Sequence, residues 1–97
     1  MEQQETTGNK FGLRARELSE KVSSEMGLEG AIEVVAVDGL SREAGLRAGD
    51  VILRMKTKPT QTLDVLESII NDASSGDVIP VLILRDSRRI FLTIKVP

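Results

Sequence analysis

Residues 39–53 read Gly39-Leu40-Ser41-Arg42-Glu43-Ala44-Gly45-Leu46-Arg47-Ala48-Gly49-Asp50-Val51-Ile52-Leu53, and this stretch decides the fold. Ser41 can cap a single helical turn, which Gly45 would end in a left-handed conformation. Gly49 lies in a second reversal that a side chain would obstruct, and the Asp50 carboxylate can accept backbone N–H bonds there. The stretch therefore predicts a short helix and two tight turns leading into a strand.

Hydrophobic patterns on either side predict the other elements. Upstream they indicate a strand over 11–18, a helix over 19–26 ended by Gly27, and a β-branched strand over 30–37. Downstream they indicate a strand over 51–55, a loop over 56–59, a helix capped by Thr60 or Thr62, a strand over 78–85, a hairpin turn at Asp86-Ser87 and a strand over 89–96. This order predicts an α+β domain, in which two helices close a curved, mostly antiparallel sheet of five or six strands.

The last two strands carry three details that a structure can test. The nearly continuous apolar run over 78–85 is typical of a strand that is covered on both faces. Pro80 lacks an N–H, so it requires a sheet edge or a bulge at that point. In the final strand apolar residues alternate inward, and Phe91 is the exception on the outer face. Arg85, Arg88 and Arg89 flank the hairpin and are interpreted as solvated charges.

Composition excludes several classes of function. The 97 residues have 40% hydrophobic and 29% charged content, as expected for one folded domain. A net charge of −2 with interspersed signs argues against binding to nucleic acid. The chain has no histidine and no cysteine, so it cannot build a Ser-His-Asp or Cys-His nucleophile or a metal site from those ligands. Other enzyme chemistries stay open on composition alone, but the serines and carboxylates show no spacing typical of a nucleophile with a base or of a metal cage. We therefore expect no catalytic residue, no metal and no cofactor.

The sequence also bears on targeting segments and membrane insertion. Residues 1–9 are polar and acidic, so we interpret them as a flexible lead-in or as a remnant of a longer protein rather than as a signal peptide, and residues 10–97 as the domain. No apolar run approaches the roughly 20 residues that span a bilayer, so direct membrane insertion is not expected.

The string over 39–53 resembles the signature of PDZ domains, which is a short helix, then A-G-L, x-x-G-D and I-L. Ala44 is small where the short helix meets the sheet, and Leu46 packs into the core. A helix follows ten residues later, and a hairpin follows that helix. The strand over 89–96, which closes the sheet, comes last in the chain. This order of elements resembles the circularly shifted PDZ domains of bacterial HtrA/Deg serine endoproteases. The resemblance implies a PDZ-like, partly open β-barrel or sandwich. Because the chain stops at that strand, we expect the second, C-terminal PDZ domain of such a protease.

The resemblance implies a peptide-binding site between the first strand and the long helix. The family's carboxylate-binding loop matches Lys10, Phe11, Gly12 and Leu13, and the strand to which a ligand adds continues through Arg14, Ala15 and Arg16. The groove helix matches Leu63, Leu66, Glu67 and Ile70. Leu63 at the first helix position predicts an apolar ligand residue two before the C-terminus, whereas Glu67 departs from an apolar groove. Without the resemblance, Phe11-Gly12-Leu13 is interpreted as a plain structural turn, and Arg14 and Arg16 as solvated edge charges.

The implied function is that of a non-catalytic module in a larger protease. The resemblance predicts binding of C-termini or extended apolar segments by β-strand addition. The catalytic domain would lie upstream, in a periplasmic enzyme of protein quality control. One alternative is a structural or oligomerisation domain, with an unused groove, that contacts neighbouring protease or PDZ domains. Another is the PDZ domain of an intramembrane protease or a secretion-system component.

Overall fold

The computed structural model describes residues 10–28 and 31–97, so the expectations for residues 1–9 and for a strand beginning at Gly30 lie partly or wholly outside it. In chain order the elements are β1 (Leu13–Glu17), α1 (Glu20–Glu25), β2 (Ile32–Val37), α2 (Gly39–Glu43), β3 (Val51–Met55), β4 (Lys58–Pro59), α3 (Leu63–Asp72), β5 (Val78–Arg85) and β6 (Arg88–Lys95). In the part of the chain that is described, no helix is long and apolar enough to cross a bilayer.

The strands form one sheet in the order β1-β2-β3-β5-β6, with β4 paired to β3. Every pairing between them is antiparallel. Buried side chains from both the sheet and α3 make one apolar core, which includes Phe11, Leu13, Ile52, Leu66, Ile70, Val81 and Ile94. The predicted α+β class and the late closing strand β6 are confirmed.

The start of α2 differs from the prediction that Ser41 caps this helix. The N-cap is Asp38, whose Oδ1 accepts a hydrogen bond from the Gly39 N–H at 2.8 Å, and the helix begins at Gly39. An aspartate here both accepts the N–H and places its negative charge at the positive end of the helix. Ser41 lies inside the helix and is fully buried.

The start of α3 resolves the choice between two threonines. Thr62 is the N-cap, and its hydroxyl oxygen accepts a hydrogen bond from the Val65 N–H at 3.3 Å. Thr60 instead donates its hydroxyl to the Ile52 carbonyl oxygen at 3.1 Å and is buried. The ten-residue helix buries its apolar stripe, Leu63, Leu66, Ile69 and Ile70, against the sheet.

The prediction that β5 is covered on both faces is wrong. Ile79, Val81 and Ile83 are buried, whereas Val78 is 62% exposed and Pro80 is also exposed. Only one face of this strand packs into the apolar core, which it shares with α3. The apolar run therefore leaves an apolar outer face.

Pro80 is accommodated where β3 turns away from β5. The β3–β5 pairing ends at Met55 and Val81, and the Pro80 carbonyl oxygen accepts a hydrogen bond from the Lys56 N–H at 2.9 Å. Because the N and O of a strand residue point to the same side, the missing N–H of Pro80 faces the turn after β3 and not β6. The proline thus removes no bond from the β5–β6 ladder.

Two tight turns use left-handed backbone at non-glycine residues. Asp86 and Ser87 have φ values of 51° and 63°, as expected of a two-residue hairpin between β5 and β6. Lys56 and Thr57 have φ values of 53° and 66° and make an equivalent turn between β3 and β4. The sequence pattern predicts only an open loop at this second turn.

Arg85 is not a solvated hairpin charge, as the sequence suggests, but the partner of buried Asp50. Its Nε and Nη2 donate to the two carboxylate oxygens of Asp50 at 2.8 and 2.6 Å, and Nη2 also donates to the Gly45 carbonyl oxygen at 2.8 Å. Asp50 also accepts the Arg47 N–H at 2.9 Å, as predicted. The hydrogen bond to Asp50 raises the pKa of Arg85 above its ordinary value.

Candidate functional site

The loop over residues 10–13 is held by backbone hydrogen bonds to the start of α2. The Asp38 N–H donates to the Gly12 carbonyl oxygen, and the Ser41 N–H donates to the Phe11 carbonyl oxygen, both at 2.9 Å. Gly12 has a φ of +69°, and a Cβ atom at this position would lie 2.7 Å from the Asp38 carbonyl carbon and closer still to its oxygen. Only glycine therefore fits, for both conformational and steric reasons.

The helix α3 runs antiparallel to β1, and polar contacts join them at both ends. At the start of α3, Glu17 Oε2 accepts a hydrogen bond from the Leu63 N–H at 3.0 Å. At its end, Lys10 Nζ donates to the Asn71 carbonyl oxygen at 3.2 Å and also to the carbonyl oxygen of Ala73. The carboxylate and the ammonium each lie at the helix end whose partial charge they complement. These contacts fix where β1 and its preceding loop lie relative to the helix.

The apolar residues assigned to the groove belong to the core. Leu63 is 6% exposed, and Leu66 and Ile70 are fully buried. They share one cluster with Phe11 and Leu13 of the loop. The structure thus brings the predicted loop and helix residues together, but the apolar helix residues assigned to the groove are as buried as core residues. Glu67 is half-buried on the same helix.

The three residues assigned to strand addition have different environments. Ala15 is buried and Arg14 is exposed. The register of the β1–β2 pairing shifts between these two residues. Arg16 lies directly opposite Glu33 of β2, and its Nη2 and Nε are 2.6 and 2.8 Å from Glu33 Oε1. Arg16 is therefore half of a cross-strand ion pair and not simply a solvated edge charge.

Sequence reasoning does not identify the residues that position the loop and the strand. Asp38 and Ser41 fix the loop through their backbone N–H groups, which any non-proline residue would supply. Glu17 and Lys10 act over separations of 46 and more than 60 residues. A local pattern contains no signal for contacts of that length.

Replacement of Lys10 by methionine tests the contact at the end of α3. Met keeps most of the apolar stem but cannot donate to the two carbonyl oxygens, so the free energy of unfolding should fall by about 1 kcal/mol. Urea denaturation followed by far-UV circular dichroism measures the change. Lys21→Met, on the exposed surface of α1, is the control and should leave stability unchanged. Equal effects of the two substitutions would show that the Lys10 contact contributes nothing.

Comparison with known proteins agrees with this arrangement. A family model described as PDZ domain matches residues 11–96. The chain belongs to the PDZ domain family. The match includes the loop residues 11–13, β1, the signature over 39–53 and α3, so every part of the candidate site except Lys10 lies within the family's extent.

The PDZ domain is also similar to parts of much longer proteins. A probable periplasmic serine endoprotease DegP-like from Rickettsia conorii is 31% identical over an alignment of 91 residues, and the match covers 90% of this chain and 18% of that protein. A protein of the same description from Hahella chejuensis is 27% identical and covers 90% of this chain and 19% of its own length. The PDZ domain thus spans less than a fifth of these curated relatives.

Solved structures show the same fold. The serine endoprotease from Yersinia pestis is 33% identical with a TM-score of 0.63, over 66% of this chain and 24% of that chain. The HtrA-type protease AlgW with tripeptide is 25% identical with a TM-score of 0.75, over 87% of this chain and 29% of that chain.

Proposed function

We propose that this PDZ domain binds the C-termini or extended apolar segments of polypeptides between β1 and α3. The observation that carries the proposal is the loop over residues 10–13, where an obligatory glycine lies between two buried apolar side chains beside α3. The HtrA-type protease AlgW, which shares this fold, was solved with a tripeptide. The domain itself is a non-catalytic module.

In the proposed complex, the ligand carboxylate lies against Lys10, Phe11, Gly12 and Leu13. The ligand main chain follows β1 through Arg14, Ala15 and Arg16 by strand addition. The Lys10 ammonium adds positive charge at the carboxylate end, from its position over the last turn of α3. Charge-assisted hydrogen bonds to a carboxylate are stronger than neutral ones, so a free C-terminus should be preferred to an amide.

The apolar wall of the site is made of residues that also form the core. Because Leu66 and Ile70 are fully buried, admission of a ligand side chain requires α3 to shift relative to β1. The side chain that enters should be apolar, because the cluster around it is apolar. Leu63, at the start of α3, should favour an apolar residue two positions before the C-terminus. Glu67 should disfavour an acidic ligand residue beside it.

The same proposal places the domain in a larger protein. The curated relatives are named periplasmic serine endoproteases, and this PDZ domain corresponds to a small part of their length. We infer a parent serine endopeptidase with its catalytic domain upstream, acting in the periplasm in protein quality control. In that setting the domain would hold client polypeptides and contact neighbouring domains of the same protease.

The burial of the groove residues favours a second candidate function. If Leu63, Leu66 and Ile70 stay in the core, the domain acts as a structural or oligomerisation element that contacts neighbouring protease or PDZ domains. The polar contacts of Glu17 and Lys10 with the two ends of α3 hold β1 and its preceding loop against the helix and favour a groove that remains closed.

A peptide titration separates the two candidates. Backbone amide shifts of the 97-residue chain are followed while a short peptide with an apolar C-terminus is added, first with a free carboxylate and then amidated. Carboxylate capture predicts shifts at residues 10–16 and 63–70, and amidation should weaken binding at least about tenfold. Lys10→Met should reduce this ratio, whereas the control Lys21→Met should not. No response to any apolar C-terminus would contradict peptide binding and favour the structural candidate.

A further inference from the structure

The strand β6 alternates between two kinds of residue. The two-residue hairpin turn makes Arg85 and Arg88 a hydrogen-bonded pair, so every second residue from Arg88 onward bonds to β5. The residues in between are Arg89, Phe91, Thr93 and Lys95, and their N–H and C=O groups point away from β5. Across the described ranges 10–28 and 31–97, no backbone hydrogen bond outside the β5 pairing reaches these four residues. This side of β6 is an open edge.

The side chains of the same four residues lie on one exposed face. Phe91 is 75% exposed, and the other three are exposed as well. The β5 residues directly opposite them are all apolar, namely Leu84, Leu82, Pro80 and Val78. We call this surface the β6 face. An exposed aromatic side chain beside an open edge is a typical surface for pairing with another strand.

The charge of the β6 face defines the partner it can take. Arg89 and Lys95 lie near its two ends with Phe91 between them, and none of their β5 neighbours carries a charge. The nearest acidic residues along the chain, Asp77 and Asp86, lie beyond the ends of the two strands. Antiparallel pairing of two copies would bring several cations together, whereas an acidic strand would meet each cation with an opposite charge.

We propose that the β6 face binds an extended acidic polypeptide segment as a further antiparallel strand. Because side chains repeat every second residue in a strand, the segment has an acidic residue opposite Lys95, a polar residue opposite Thr93, an apolar residue opposite Phe91 and an acidic residue opposite Arg89. From its N-terminus the segment reads acidic-x-polar-x-apolar-x-acidic. This surface lies at the opposite end of the sheet order from β1, so it is separate from the site proposed above.

A capped peptide tests the proposal without involving a free carboxylate. Acetyl-Glu-Ser-Thr-Ser-Val-Ser-Glu-amide carries the required pattern, and the control peptide has lysine in place of both glutamates. Amide shifts of the full 97-residue chain should change at residues 88–95 and not at 10–16. Interfaces of this size bind weakly, with a dissociation constant on the order of 1 mM. The lysine peptide should bind at least about tenfold more weakly, and added salt should reduce the difference.

Variants of exposed residues sharpen the test, because they leave the core intact. Phe91→Thr keeps a residue that favours strands and should weaken binding of the glutamate peptide about threefold to fivefold. The double variant R89E/K95E should reverse the preference, so that the lysine peptide binds more tightly.

Three results would overturn the proposal. The first is the absence of shifts at residues 88–95. The second is equal binding of the glutamate and lysine peptides, both to the unmodified chain and to the double variant. The third is a set of shifts at 88–95 that depends on protein concentration alone, which would assign the edge to a second copy of the chain.

Discussion

Replacement of Gly12 by alanine should destabilise the domain by more than about 2 kcal/mol and abolish the proposed peptide binding at the loop. An alanine at φ +69° pays the cost of left-handed backbone, and its Cβ would also overlap the Asp38 carbonyl group. The neighbour is backbone at the N-cap of α2, so it can move only if the helix start moves with it. Urea denaturation and the peptide titration measure the two effects.

Gly76→Ala is a matched control for this substitution. Gly76 also has a positive φ, of 88°, but a Cβ there would meet nothing within 4 Å. This variant should therefore lose only the conformational part, on the order of 1 kcal/mol. The difference between the two variants isolates the contact with Asp38. If both variants lose the same free energy of unfolding, the loop does not approach α2 as closely as described.

Replacement of Arg85 by methionine should cost about 3–5 kcal/mol of unfolding free energy. Methionine covers a similar apolar surface but leaves the Asp50 carboxylate, whose side chain is 3% exposed, with only the Arg47 N–H as a partner among those described. Thermal and urea unfolding measure the loss. Arg88→Met and Arg89→Met, at exposed positions of the same hairpin, should each change stability by less than about 0.5 kcal/mol. A loss for Arg85→Met no larger than theirs would contradict a structural role for the pair.

The pH dependence of this loss follows from the direction of the pKa shift. The pKa of Arg85 is raised in the folded state by its hydrogen bond to Asp50. A raised pKa of a cation stabilises the fold at every pH below the unfolded-state value, and this stabilisation disappears only as the pH rises through the folded-state value. The Arg85→Met penalty should therefore be the same at about pH 7 and about pH 9, since arginine is fully protonated in both states there.

Several features of the fold can be predicted because they depend on neighbours along the chain. The hairpin at Asp86-Ser87, the left-handed Gly45 and the acceptance of the Arg47 N–H by Asp50 all arise within four or five residues. Alternation in β6 correctly places Phe91 on the outer face. The pattern assigns the cap of α2 to Ser41 instead of Asp38, because several residues in that stretch can cap a helix and the pattern does not rank them.

The candidate site can be predicted in part. Its loop and helix residues are matched to the right elements, and the structure brings those elements together in one cluster. The pattern does not predict that Leu63 and Ile70 are nearly as buried as Leu66, because a helical stripe shows which side faces inward and not how closely the next strand approaches. Peptide binding at these residues stays a prediction.

The sequence by itself determined the class of the fold, the order of its elements apart from β4 and the family to which the domain belongs. These follow from hydrophobic periods, glycines in tight turns and the string over residues 39–53, all of which act over short distances in the chain. Only the tertiary structure decided that Arg85 pairs with Asp50, that Lys10 and Glu17 hold the two ends of α3, and that β5 leaves an exposed apolar face. Those contacts join residues at least 35 positions apart or depend on which face a helix covers, so they exist only once the sheet has assembled.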